Sequence, residues 1–196
     1  CMILEDFKLK TKEEFTKAQQ RAVSDPESFW GEIASTFIWK TPFEKVVQYD
    51  WNGTHTTEWF SGGKLNITES CLDRHVETHP DKLALIWEPN EPQDTAVKLT
   101  YKELLDEVCK FANGLNNLGV TKGDRVCIYL PMVPGLTIAV LACARIGAIH
   151  SVVFAGFSAS ALAARIQDSR CSILITADGA FRGGKTVPLK DIADDA

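Results

Sequence analysis

The chain has 196 residues, of which 45% are hydrophobic and 24% are charged, and it carries a formal net charge of −5 at pH 7. This composition is ordinary for a globular protein and excludes the disordered and fibrous classes. The negative charge argues against a protein that binds nucleic acid through a basic surface. The most apolar stretch, residues 126–144, is interrupted by Pro131, Pro134 and Gly135, which leaves it short of the ~20 residues that a membrane-spanning helix needs.

The N-terminus and the cysteines indicate the compartment. No basic segment followed by an apolar stretch opens the chain, so no signal peptide is predicted. The six cysteines include no C-x-x-C pair, and most of them lie in apolar periodic segments, where a free thiol acts as a small hydrophobic side chain. We therefore expect a cytoplasmic protein without disulfides or bound structural metal, and with neither a membrane nor nucleic acid as a partner.

Helix signals are the clearest feature of the first part of the chain, which also holds most of the aromatic residues. Thr11 and Glu14 form a capping box, and Asp25 followed by Pro26 offers a second helix start. Residues 41–66 show turn residues and aromatics without a sustained period, which favours rings that dock on a larger body. Residues 67–79 are predicted as a further helix, which Pro80 ends.

Two strands and a long helix are predicted next. Residues 83–87 and 96–99 flank a turn and predict a β-hairpin. Thr100 and Glu103 form another capping box, which begins a helix that Gly119 ends. The apolar face of that helix is predicted to be Leu104, Val108, Ala112, Leu115 and Leu118.

Three apolar strands alternate with helices in the rest of the chain. The strands are predicted at residues 125–130, 150–154 and 171–176, and the helices at residues 135–146 and 158–168. Strands that are apolar on both faces and joined by helices form a parallel sheet, so the predicted fold class is α/β with βαβ units. Ligands bind such sheets beyond the carboxyl ends of the strands, which here are followed by loops 131–135, 155–158 and 177–186.

Residues 179–186 match the pattern G-x-x-x-x-G-K-[ST] of phosphate-binding P-loops. A P-loop opens directly into a helix, whereas Pro188 follows here, and no acidic strand for magnesium comes after it. Two further interpretations are therefore open. In one, Gly183 and Gly184 let the backbone approach an anion while Arg182 and Lys185 supply the countercharge. In the other, the segment is a flexible glycine turn with two solvated cations.

A second glycine-containing turn, residues 154–158, leaves a predicted strand and enters a predicted helix. Gly156 and Ser158 suit a tight turn with a helix cap, and they suit equally a ligand at the sheet edge, so both interpretations stay open. His75 and His79 lie one helical turn apart, but the glutamate of the zinc-protease pattern is misplaced, which favours a polar helix end. His150 lies in a predicted strand and is interpreted as a core residue. No spacing indicates a nucleophile beside a base.

Several segments resemble the acetyl-CoA synthetases of the adenylate-forming superfamily. They are residues 25–30 (DPESFW), 39–43 (WKTPF), 59–66 (WFSGGKLN), 71–75 (CLDRH), 99–104 (LTYKEL), 129–134 (YLPMVP) and 142–154 (ACARIGAIHSVVF). Segment 99–104 is similar to the common start of the superfamily, and the last two are highly specific for its acetate and propionate branch. The resemblance covers nearly the whole chain from about residue 25.

The resemblance implies an enzyme that activates a carboxylate with ATP, releases pyrophosphate and transfers the acyl group from AMP to coenzyme A. In the family, an Arg-x-Gly-Arg stretch and a Phe-Gly-Gly-Phe-Ser turn contact coenzyme A. The matching positions of the coenzyme A site are Arg182, Gly183, Gly184, Lys185, Phe154, Ala155 and Gly156, and the turn continues through Phe157 and Ser158. Two positions depart from the family: Lys185 replaces an arginine and lacks its bidentate fork, and Ala155 replaces a glycine.

The resemblance also implies how the chain is divided. Residues 1–80 match the helical and irregular N-terminal extension, and residues 81–196 match the first part of a large adenylate-forming domain. We therefore expect a truncated chain that holds no catalytic residue, with the ATP site, the acyl pocket and the magnesium ligands of the enzyme beyond Ala196. Its expected partners are acetate, ATP, coenzyme A and the rest of its own chain. A propionyl-CoA synthetase and a non-catalytic module that binds coenzyme A or phosphate are the alternatives.

Overall fold

The computed structural model describes residues 8–53 and 56–196. The chain forms two compact units, Cys1–Ser70 and Cys71–Ala196. Cys1 lies outside the described residues, and the five other cysteines are free thiols. No helix in the described ranges is both long and apolar enough to cross a membrane.

The described part of the first unit contains two helices ahead of its strands, α1 (Lys12–Ser24) and α2 (Pro26–Ala34). The capping box of Thr11 and Glu14 is confirmed, since each side chain bonds the backbone of the other residue. Asp25 is confirmed as the cap of α2, because its carboxylate accepts a hydrogen bond from the Ser28 amide at 3.2 Å. Short antiparallel strands follow: β1 (Trp39–Thr41) pairs with β4 (Lys64–Leu65), and β2 (Lys45–Tyr49) pairs with β3 (Thr57–Ser61).

An aromatic cluster joins the strands of this unit. The rings of Trp39, Phe43 and Phe60 lie 5.1–5.8 Å apart, centroid to centroid. Gly63 is required beside them, because a Cβ there would lie 2.5 Å from Cζ3 of Trp39. Residues 41–66 thus contain regular strands and ring contacts of their own, which their pattern did not predict because strands of two to five residues carry little periodicity.

The second unit begins within helical structure, which a hairpin follows. A π-helical turn (Glu69–Asp73) spans the boundary at residues 70–71 and leads into α3 (Arg74–Thr78), so the predicted helix of residues 67–79 is present with a π turn inside it. Strands β5 (Leu83–Trp87) and β6 (Val97–Thr100) form the predicted antiparallel hairpin. Thr100 then caps α4 (Tyr101–Asn117) through the predicted capping box.

The apolar face of α4 is confirmed except at its end. Leu104, Val108, Ala112 and Leu115 are buried, whereas Leu118 is 70% exposed. The prediction for Leu118 was wrong because the helix ends one residue before it, and the chain turns away at Gly119 with a φ of +87°. A positive φ favours glycine, which explains the helix stop at this position.

A three-stranded parallel sheet forms the centre of the second unit. Its strands are β7 (Arg125–Tyr129), β8 (Ile149–Val152) and β9 (Ile173–Thr176), in the order β8-β7-β9. Helices α5 (Pro134–Ile146) and α6 (Ala159–Ser169) make the crossovers. The α/β class with βαβ units is therefore confirmed. Strand β8 ends at Val152, so Phe154 lies beyond the strand in which it was predicted.

Helices cover both faces of the central strand. Val126 and Ile128 pack in one buried cluster with residues of α4 and α5. The alternate residues Cys127 and Tyr129 pack in a second cluster with Leu162 of α6 and with Leu189 of the last helix, α7 (Leu189–Asp194). Between β9 and α7 lies one more antiparallel hairpin, β10 (Ala180–Arg182) and β11 (Lys185–Val187).

Candidate functional site

Loops from all three parallel strands meet at one edge of the sheet. Because β7, β8 and β9 run in the same direction, the segments that follow Tyr129, Val152 and Thr176 all leave from the carboxyl edge. The residues predicted for the coenzyme A site lie in two of these segments. One is the turn of residues 154–158, and the other is the hairpin of residues 180–187.

The hairpin has a two-residue turn formed by Gly183 and Gly184. Arg182 lies directly opposite Lys185 in the register, and Gly183 has a φ of +57°. A positive φ at the first central residue is what a type II′ hairpin turn requires. The backbone of this segment pairs in a β-ladder, and helix α7 begins only at Leu189. The P-loop interpretation of residues 179–186 therefore does not hold.

The two cations of the hairpin share one face. Residues directly opposite each other in an antiparallel pair point to the same side, with Cβ atoms about 4.5–5.5 Å apart. Arg182 and Lys185 are exposed, and within the described part of the chain neither has an ion-pair partner. The tip of the hairpin consequently presents two unneutralised positive charges in a chain whose net charge is negative.

Arg182 lies against the turn that follows β8. Its guanidinium carbon is 5.7 Å from the centre of the Phe154 ring, in the range of a cation–π contact. An added Cβ at Gly156 would lie 2.5 Å from Cε1 of Phe154 and 3.2 Å from Nη1 of Arg182. Residues that the sequence placed at two separate loops are therefore brought together.

The remaining predicted residues have different surroundings. Ala155 packs against the buried cluster that contains Cys127 and Leu162, so its extra methyl group is accommodated by the core. Gly184 has open space around it, with no described atom within 4 Å of an added Cβ. Ser158 caps α6 by accepting a hydrogen bond from the Ala161 amide, as the turn interpretation predicted.

Three residues at this edge were missed by the sequence analysis. Tyr129 is fully buried, and its hydroxyl donates to the Phe157 carbonyl at 2.8 Å. Burial raises the pKa of this phenol, which keeps it a hydrogen-bond donor. Arg165 lies over the Phe157 ring at 4.4 Å, and the Asn90 side-chain amide donates to the Gly183 carbonyl at 3.3 Å. The position of Tyr129 at the end of an apolar strand could have indicated a hydrogen bond at the sheet edge, whereas no sequence pattern around Asn90 indicated its contact with the hairpin.

A cleft of about 550 Å³ adjoins the hairpin. The indole of Trp87 donates to the Met132 carbonyl at 2.6 Å, which ties the end of β5 to the loop after β7. The residues that line the cleft include Glu88, Glu91 and Asp94. Carboxylates repel a phosphate ligand, so the chemistry of the cleft differs from that of the cationic hairpin tip.

The two histidines singled out by spacing are not brought into this site. His75 lies in α3, and its ring packs 4.7 Å from that of Tyr101. Burial, reinforced by nearby cations such as Arg74, holds the pKa of His75 below its ordinary value. His79 forms the end of the same helix. Among the residues that the structure describes, no three side chains are grouped as a metal site would need.

Two models of known families match the sequence. The model described as acetyl-coenzyme A synthetase N-terminus matches residues 15–71, and the model described as AMP-binding enzyme matches residues 72–195. The chain belongs to the AMP-binding enzyme family. This confirms the family that the sequence motifs indicated.

Curated relatives and a solved structure agree with the family. The chain is 52% identical to the acetyl-coenzyme A synthetase of Desulfatibacillum aliphaticivorans over 182 residues, which are 93% of this chain and 28% of that protein. It is 49% identical to the acetyl-coenzyme A synthetase of Syntrophus aciditrophicus, with the same coverage. The structure of acetoacetyl-CoA synthetase from Streptomyces lividans superposes with a TM-score of 0.81 at 30% identity, over 90% of this chain and 27% of that one. The chain thus spans a little over a quarter of the length of these relatives in the family.

Proposed function

We propose that this chain is part of an enzyme that ligates acetate to coenzyme A. In the first half-reaction the acetate carboxylate attacks the α-phosphate of ATP, which yields acetyl-AMP and pyrophosphate. In the second, the thiol of coenzyme A attacks the acetyl carbonyl, and AMP leaves. Membership of the AMP-binding enzyme family supports this chemistry. Acetate is favoured because the acetyl-coenzyme A synthetases named above are 49–52% identical to this chain, against 30% for the acetoacetyl-CoA enzyme.

Within this enzyme, the turn of residues 154–158 and the hairpin of residues 180–187 bind coenzyme A. The observation that carries this assignment is the pair of exposed cations Arg182 and Lys185 on one face of the hairpin, which have no ion-pair partner in residues 8–53 and 56–196. The adenosine end of coenzyme A carries phosphate groups, which such cations bind by charge-assisted hydrogen bonds. Phe154 holds the Arg182 guanidinium and is itself 56% exposed, so it adds an apolar surface beside the phosphates.

ATP, acetate and magnesium belong to the first half-reaction. We assign no catalytic, ATP-binding or magnesium-binding role to the residues described here. We also propose that residues 1–80 form the N-terminal extension of the enzyme and that residues 81–196 begin its adenylate-forming domain.

The test separates the two half-reactions in the full-length enzyme that contains this chain. Acetate-dependent exchange of pyrophosphate into ATP reports the first, and acetyl-CoA formation at varied coenzyme A reports both. Arg182→Ala and Lys185→Ala should each raise the KM for coenzyme A and leave exchange nearly unchanged. A hydrogen bond to a charged group contributes about 1.5–3 kcal/mol, so a well-formed contact implies a rise of about tenfold or more, and a solvated contact implies less. Lys122→Ala is the matched control, because Lys122 is an exposed lysine that precedes β7 at the opposite edge of the sheet.

The outcomes discriminate between the interpretations. Loss of exchange in Lys185→Ala would contradict the coenzyme A assignment and would assign Lys185 to the first half-reaction. Unchanged kinetics in both alanine variants would indicate a turn with two solvated cations. Coenzyme A binding by a wild-type enzyme that shows no exchange would indicate a non-catalytic binding module. Faster turnover with propionate than with acetate would favour the propionate-using alternative.

A further inference from the structure

Tyr129 makes hydrogen bonds to the turn after β8 and to the end of β9, the strand that leads into the hairpin. It is the last residue of the central strand β7, and none of its surface is exposed. Its hydroxyl donates to the Phe157 carbonyl in the turn after β8 at 2.8 Å. Its own carbonyl accepts a hydrogen bond from the Thr176 hydroxyl, at the end of β9, at 3.1 Å. Tyr129 is therefore bonded through its hydroxyl to the turn after β8 and through its carbonyl to the last residue of β9.

Backbone hydrogen bonds to the sheet end before the turn that follows β8. Backbone pairing between β7 and the segment after β8 ends with the bond from the Val153 amide to the Ile128 carbonyl. Beyond it, the amides of Gly156 and Phe157 both donate to the Phe154 carbonyl, which closes the turn on itself but does not attach it to the sheet. The Tyr129 hydroxyl supplies an attachment to the sheet at Phe157.

Two aromatic rings link the hydrogen-bonded turn residue Phe157 to Arg182. Phe157 and Phe154 contact each other edge to face at 5.9 Å, and Arg182 lies over Phe154. Displacement of Phe157 would move the Phe154 ring, which is the surface against which Arg182 is held. The position of the Arg182 guanidinium is thus linked, through Phe154 and Phe157, to the buried residue Tyr129.

We propose that Tyr129 is a positioning residue for coenzyme A binding, which acts through Phe157 and Thr176 and not by contact with the ligand. The proposal rests on the assignment of coenzyme A to the turn and the hairpin made above. Removal of the hydroxyl leaves the ring to fill its place in the core, so the effect falls on the placement of the loops.

The experiment compares Tyr129→Phe with Tyr101→Phe in the full-length enzyme. Tyr101 is a partly buried tyrosine of the same unit, and it packs on His75 away from the site. We expect the KM for coenzyme A to rise roughly three- to tenfold in Tyr129→Phe, the change that loss of one hydrogen bond implies. The KM for ATP and the rate of acetate-dependent pyrophosphate exchange should stay at the wild-type values, as should all parameters of Tyr101→Phe.

A second pair of variants tests the other bond of the same residue. Thr176→Val removes the hydroxyl that donates to the Tyr129 carbonyl, and Thr176→Ser keeps it. We expect the valine variant to raise the KM for coenzyme A and the serine variant to restore it, even if Tyr129→Phe fails to fold.

The results separate this proposal from the assignment of the ligand. A raised KM for coenzyme A in Arg182→Ala with an unchanged value in folded Tyr129→Phe would overturn the positioning role alone. Equal losses of exchange and of thioester formation in Tyr129→Phe would also overturn it, because they would show a general structural role. Unchanged coenzyme A kinetics in Arg182→Ala would instead overturn the ligand assignment.

Discussion

Gly156→Ala tests how Arg182 is held at the coenzyme A site proposed above. The added Cβ would lie 2.5 Å from Cε1 and 3.1 Å from Cδ1 of Phe154, which is closer than carbon atoms approach without a shift. Those atoms belong to the end of a side chain that is 56% exposed, so the ring can rotate away without moving the backbone. The φ of Gly156 is not in the positive range, and alanine can therefore adopt the same backbone conformation.

The expected magnitude follows from the contact that is lost. Rotation of Phe154 removes its cation–π contact with Arg182, and such contacts contribute about 0.5–1 kcal/mol at exposed sites. The KM for coenzyme A should accordingly rise about two- to fivefold. The free energy of unfolding should change little, because alanine reduces the entropy of the unfolded chain by an amount similar to the cost of moving the ring, about 0.4–1 kcal/mol.

The assay combines urea unfolding with acetyl-CoA formation at varied coenzyme A. Gly114→Ala is the control: it lies in α4 with no described atom within 4 Å of an added Cβ, so it should raise stability by about 0.5–1 kcal/mol and leave the KM unchanged. If the methyl group acts through the ring, Gly156→Ala should have no further effect in a Phe154→Ala background. Additive effects of the two substitutions would refute this reasoning, and so would a loss of several kcal/mol of stability in Gly156→Ala.

Three further predictions concern other groups. Lys185→Arg should lower the KM for coenzyme A without a change in pyrophosphate exchange, because a guanidinium binds phosphate with two parallel bonds; an unchanged KM would contradict this. Burial raises the pKa of the Cys127 and Cys143 thiols to about 11, so iodoacetamide should label them only after the protein unfolds. Partly exposed Cys109 should react in the native protein, and peptide mapping of the labelled protein distinguishes the three thiols. Burial holds the pKa of His75 below its ordinary 6.5, so the unfolded chain binds a proton at this residue more readily than the folded chain does. The free energy of unfolding should therefore rise with pH up to about 6.5. In urea titrations at several pH values, His75→Gln should flatten that rise.

Long periodic elements were predictable from the sequence, and short ones were not. Helix α4 has 17 residues and a capping box, so its apolar face and its start at Thr100 were evident. The parallel sheet followed from apolar strands separated by helices. Strands β10 and β11 have three residues each, and their only sequence signal was a pair of glycines, which also fits a P-loop. The boundary at residue 80 between extension and domain stays a prediction.

The candidate site was predictable only in part, for a physical reason. Arg182 and Lys185 were marked by their charge beside glycines, and the link to Phe154 came from the resemblance to a family. The contacts that fix their positions join residues far apart in sequence, such as Tyr129 with Phe157 and Asn90 with Gly183. Periodicity reports which side of an element is buried, but it carries no information on which loops meet beyond the end of a strand.

The hairpin accounts for a P-loop pattern without P-loop geometry. In a P-loop the backbone amides point at the phosphates, and the lysine adds to a site that the main chain already forms. Here the main chain of residues 180–182 is paired with that of residues 185–187, so in the site proposed above anion binding falls mainly to the side chains at the tip. Recognition by side chains depends on which cation is present. In the proposed site, the lysine at position 185, where the family has arginine, would therefore alter the binding group itself, whereas Gly183, with its φ of +57°, serves the fold of the turn.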